Sequence, residues 1–122
     1  MKTESLLLLD YRKKENQKMI QKALKRMKPF QKYSVEEDVT LEDVEKLVWI
    51  LCRKYDVCIQ YINMVQIEHN DDFFTASVMR SSDHKWLGSV HGCCLYDLFA
   101  KIAIKLYTHI KKGDVERVNN EG

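Results

Sequence analysis

The chain has 122 residues, 45% of them hydrophobic and 31% charged, with a net charge of +2. That length holds one ordinary core rather than two, and the composition is that of a folded chain, not a disordered one. A domain of this size buries roughly two thirds of its unfolded surface. Cys52, Cys58, Cys93 and Cys94 are therefore not needed as a disulfide framework, and reduced thiols are the expectation.

The small net charge conceals an asymmetry. Residues 1–33 carry ten Lys/Arg against three Asp/Glu, a net +7, while residues 34–122 carry ten against fifteen, a net −5. A basic segment on an acidic body is expected to be an interaction arm. At the start, Leu6, Leu7, Leu8 and Leu9 stand in a row between Glu4 and Asp10. Four apolar residues fall short of the about 7–15 of a signal-peptide core, and nothing approaches the ~18 of a membrane span. A cytoplasmic protein that does not enter a membrane is the expectation.

Thr3 or Ser5 is expected to cap a first helix that runs to Lys28 and stops at Pro29. Leu6, Leu9, Ile20, Ala23, Leu24 and Met27 recur at helical spacing, with Lys13 and Asn16 interrupting the stripe. Arg12, Lys13, Lys14, Lys18, Lys22, Lys25, Arg26 and Lys28 crowd the rest of the circumference. So broken a stripe predicts a helix that packs only partly on its own domain. Residues 31–39 follow as a linker with Glu36, Glu37 and Asp38 near its end.

Thr40 is placed as the N-cap of a second helix, with Glu42 and Asp43 suited to the positive end of its dipole. Leu41, Val44, Leu47, Val48, Leu51 and Tyr55 form its apolar face; Trp49 and Ile50 lie off that face, available to the first helix or to a partner. Residues 57–62 read as a strand, His69-Asn70-Asp71-Asp72 as a turn, and residues 73–80 as a second strand alternating Phe74, Ala76 and Val78 with Phe73, Thr75, Ser77 and Met79. Ser81-Ser82-Asp83-His84 is a second turn and residues 86–91 a third strand, which makes an antiparallel meander. Gly92 ends it. Leu95, Leu98, Phe99, Ile102, Ala103, Leu106 and Ile110 then mark a final helix closed by Gly113.

The fold class predicted is α+β: an N-terminal helix followed by α-β-β-β-α, with a three-stranded antiparallel sheet carrying helices on one face. Residues 1–33 form the basic helical arm, 34–113 the domain and 114–122 a frayed tail. Leu47, Leu51, Val78, Leu98, Phe99, Ile102 and Leu106 are expected to share one core.

Catalytic chemistry finds little support. Strong zinc sites pair ligands two to four residues apart, twice; Cys52 and Cys58 are too widely spaced, and His91-Gly92-Cys93-Cys94 is the one dense cluster. Cys93 or Cys94 at a helix start has the position of an activated thiol, but no orienting Asn or Asp accompanies His91, and Asp97 is placed to compensate the helix dipole. Gly88, Gly92, Gly113 and Gly122 assemble no phosphate loop. The expectation is a protein with no catalytic residues, no metal and no cofactor, hence not an enzyme.

The eight cations of the first helix are the strongest candidate site. They suit nucleic-acid phosphates, in contacts that weaken with salt. The plainer account is a solvated helix face, and a third is self-association, since Leu9, Asn16 and Ala23 fall seven apart, as do Ile20 and Met27. A homodimer follows from the third.

The α-β-β-β-α order with Gly92 before the last helix resembles the double-stranded-RNA-binding domain over residues 40–112. That family grips phosphates with a lysine cluster at the start of its last helix. The matching Gly92-Cys93-Cys94-Leu95-Tyr96-Asp97 has no lysine and one acid, so the likeness is one of topology. The run Phe74-Thr75-Ala76-Ser77-Val78-Met79-Arg80, then Trp86-Leu87-Gly88-Ser89-Val90-His91-Gly92, then Leu95-Tyr96-Asp97-Leu98-Phe99-Ala100-Lys101-Ile102-Ala103, resembles small phage and prophage α/β sandwich proteins. In these, two strands feed a helix of Leu-x-Asp/Glu-Ala-x-x-Lys-Ala character. The resemblance covers about half the chain and implies a mobile-element accessory protein that binds, and inhibits, a host protein; it carries over no functional residues. The expected function is thus a non-enzymatic, phage-type binder of a host protein, such as an anti-defence inhibitor whose acidic surface imitates nucleic acid. The alternative is a nucleic-acid-binding or regulatory module that uses residues 1–33.

Overall fold

The computed structural model describes residues 14–64 and 74–118. The expected helix start at Thr3 or Ser5, the apolar Leu6 and Leu9, the cations Arg12 and Lys13, and the turn at residues 69–72 lie outside the described residues.

Helix α1 spans Lys14–Arg26. Met27 leaves it in extended backbone (φ −75°, ψ 137°), and Lys28–Phe30 form a single 3-10 turn with Pro29 inside it, where the fixed proline φ fits and its missing N–H is not required. Helix α2 spans Leu41–Lys54; the Thr40 side chain caps it by accepting from the Asp43 amide at 3.1 Å. Helix α3 spans Leu95–Lys112 and ends at Gly113, whose φ of 80° is a left-handed conformation glycine adopts without strain.

Strands β1 (Cys58–Met64), β2 (Phe74–Met79) and β3 (Trp86–Gly92) form an antiparallel sheet in the order β1-β2-β3. Alternation sorts its two faces. Ala76, Val78 and Val90 are buried, whereas Ser89 and His91 on the other side are exposed. The β1–β2 register slips between Gln60 and Asn63, where Tyr61 takes a φ of 55°. The order α-α-β-β-β-α is therefore the α+β arrangement read from the sequence.

Helix α3 is the hub, in contact with both other helices and with β2 and β3. Leu98, Phe99, Ala100, Ile102, Ala103 and Leu106 are all buried, a wider band than one amphipathic stripe supplies. Its approach to the sheet depends on glycine. A Cβ on Gly92 would sit 2.6 Å from the Leu98 backbone nitrogen. The seven residues predicted to share a core do so, together with Val44, Val48 and Ala76.

Over its described part the basic arm packs on the domain: Leu24, Met27 and Phe30 are buried in the same core, and α1 packs on α3. The wide buried band of α3 leaves a flank for this third helix beside the sheet and α2. Trp49 meets α3 rather than α1, edge-on against Phe99 with ring centroids 6.1 Å apart. The stretch after Gly113 does not fray as far as it is described. Val115 is buried, Asp56 N–H donates to the Glu116 carbonyl at 2.9 Å, and Val118 N–H donates to the Lys54 carbonyl at 2.8 Å.

Because Leu98 and Ile102 are fully buried under this hub, truncating either to Ala is expected to cost about 2–5 kcal/mol. Gly92→Ala should also lower the melting temperature, since the clash is with backbone that cannot step aside. Thermal unfolding of the three variants checks this; a melting temperature unchanged in any of them would contradict the packing described.

Candidate functional site

Pro29 turns the chain so that residues 31–39 run back along α1 instead of leading away from it. Val39 is fully buried, and the Gln21 side chain of α1 accepts from its N–H at 2.9 Å. The Gln21 amide donates to the Tyr96 hydroxyl, which in turn donates to the Val39 carbonyl. This triangle joins α1, the segment before α2 and the first turn of α3. Burial is the main reason that the Tyr96 hydroxyl titrates above its ordinary range.

Beside the triangle lies a groove of about 880 Å³ between α1, residues 35–38 and the start of α3. Lys18, Lys22, Lys25 and Arg26 line one side; Ile20, Val35, Cys94 and Tyr96 contribute apolar surface; Asp38 and Asp97 stand among the lining residues. Lys18, Lys22 and Arg26 are four residues apart and so form one row, spaced by about 6 Å along the helix axis.

The structure thus gathers four of the eight expected cations at one groove. Lys18 lies 3.7 Å from Glu15, but both side chains are largely in solvent, where such a pair is worth little. Lys25 is committed to the protein itself, donating to the Val35 carbonyl at 3.1 Å. Lys22 and Arg26 are exposed and make no ion pair among the described residues. Lys28 is exposed but does not line the groove, and nothing of the Lys14 side chain is described.

The acidic stretch is not independent of the basic one. Lys32 lies 3.5 Å from Asp43. The Asp43 carboxyl is held below its ordinary range, first by the Tyr33 hydroxyl and then by Lys32. Glu37 is likewise lowered, mainly by the Ser34 backbone N–H at 2.9 Å. Acids that the sequence assigns to the body are thus partly engaged by residues 25–34.

Burial, with Cys58 nearby, pushes the Cys52 thiol up to about 11, far from the thiolate a nucleophile needs. Cys94 Sγ accepts from the Asp97 amide at 3.4 Å, and Asp97 accepts from the Cys93 N–H at 3.1 Å. Asp97 also lies 3.2 Å from Lys101. These contacts place the chain's own carboxylate beside the N-terminus of α3, where the helix dipole favours it. Among the described residues, no three His, Cys, Asp or Glu side chains are grouped to hold a metal ion, and no helix is long and apolar enough to cross a membrane.

Gln21, Val35 and Tyr96 were not singled out from the sequence. Tyr96 stands off the apolar stripe of its helix, and Val35 is a lone aliphatic residue before three acids; each is a weak signal. Gln21 gives none. The chain matches no protein-family model, and no curated protein or solved structure is similar to it.

Tyr96→Phe removes the hydroxyl that serves both Gln21 and Val39. It is expected to lower stability by about 1 kcal/mol, the cost of leaving such partners short, and chemical denaturation measures it. Unchanged stability would show that the triangle does not hold α1 in place.

Proposed function

We propose that this chain is a non-enzymatic binding protein of the phage accessory type, and that its cation-flanked groove engages a protein of the host cell. The observation that carries the reading is the combination at one place of two cations that make no ion pair among the described residues, Lys22 and Arg26, with exposed apolar surface at Val35. A surface used only for solubility needs the charges and not the apolar wall. A host-protein inhibitor acting in the host cytoplasm, such as an anti-defence factor, is the sharpest form of this reading. Mimicry of nucleic acid by the acidic stretch contributes less, because Asp43 and Glu37 are engaged by the chain's own groups.

A second reading, nucleic-acid binding, is favoured by the row Lys18, Lys22 and Arg26, which could follow a phosphate backbone. The partly exposed Trp49 also leaves room for association of two copies, with α2 faces as the contact.

One set of measurements separates these. The immobilised protein and its K22E/R26E variant are exposed to bacterial lysate at low salt, and retained proteins are compared by mass spectrometry. A protein held by the wild type and released by the variant is the expected result; no such protein would defeat the host-protein reading. Titration with duplex DNA and RNA at ~50 mM and higher salt would favour the second reading if binding falls steeply with salt. Light scattering at tens of micromolar decides the dimer.

A further inference from the structure

We infer that the occupant of the groove is an acidic amphipathic helix presented by the partner protein. The inference rests on the protein-binding reading above and specifies the segment that the partner supplies.

The apolar side of the groove asks for an apolar ligand face. Val35 is 94% exposed, yet its loop is not loose: the Val35 carbonyl is held by Lys25, and Ser34 and Glu37 bond to each other through backbone and side chain. An aliphatic side chain is thus held out into water beside half-buried Ile20 and Tyr96, at a free-energy cost that a covering apolar surface removes. A sugar-phosphate backbone offers nothing to cover it.

The cationic side sets the pitch. Lys18, Lys22 and Arg26 repeat every four residues on α1, and a helix lying alongside brings acids to the same row when they too repeat at three or four. From Gln17 to Arg26 the wall is about 14 Å long, room for roughly nine helical residues, or two and a half turns. Two or three apolar anchors at i, i+3 or i+4, and i+7 fill such a length, the usual form of helix-in-groove recognition.

The test uses the full chain and a labelled peptide of about 18 residues, long enough to be helical, with Leu at the anchor positions, Glu along one flank and Ala elsewhere. Controls are a scrambled peptide of equal composition and a single-stranded oligothymidylate. Fluorescence anisotropy is expected to show peptide binding that weakens about tenfold or more on scrambling, in K22E/R26E, and in Val35→Asp. All three side chains are exposed, so both variants should keep the wild-type melting curve. Oligothymidylate binding as tight as the peptide, equal binding of the scrambled peptide, or indifference to Val35→Asp would each overturn the inference. If the peptide fails while a host protein is still retained through Lys22 and Arg26, the helix assignment alone falls; if nothing is retained, the protein-binding reading falls with it.

Discussion

The closeness of α3 to β3 at Gly92 is the constraint on which the rest of the molecule depends. With no side chain there, the first turn of α3 comes down onto the sheet, and the Cys93 N–H reaches the Asp97 carboxylate. That approach fixes the direction of α3, and α3 then offers buried surface to the sheet, to α2 and to α1. A larger residue at position 92 would move the hub, and the three layers that share it would lose their common reference.

The same geometry explains why a basic segment acquires a defined surface. Leu24 and Met27 hold one side of α1 in the core, and Gln21 ties the adjoining side to Val39 and Tyr96. What remains outward is a set of cations whose backbone positions are fixed. A fixed row loses less freedom when it meets a ligand than a flexible lysine tail does, so its contacts are less diluted by ordering entropy. The half-exposed Tyr96 contributes to both sides of this arrangement, as a strut through its hydroxyl and as groove surface through its ring.

The elements that periodicity and capping specify were legible in the sequence. The stripe from Leu95 to Ile110, the Thr40 cap, the Gly113 terminus and the alternation of Phe74, Ala76 and Val78 each depend on residues within a few positions of one another, and each is where it was expected. What escaped depends on distant partners. Gln21 and Tyr96 are 75 residues apart, and no local pattern marks either as the other's partner. Val115 is a single apolar residue in a polar tail, so its burial beside the α2–β1 junction has no periodic signature. The interrupted stripe of the arm implied partial packing, but not which residues would make it; Leu24 and Met27 anchor the described end.

The slip in β1 bears on how copies of this chain can meet. A regular outer strand presents an even ladder of backbone donors and acceptors, which any extended segment can join. Here the left-handed Tyr61 and the missing register between Gln60 and Asn63 break that ladder near its middle. At the other border, the Lys101 ammonium caps the His91 carbonyl at 2.9 Å, placing a charge where an added strand would have to dock. Both rims therefore resist lateral growth into a continuous intermolecular β-structure, and crowding the protein should not, by that route, convert it into fibrils.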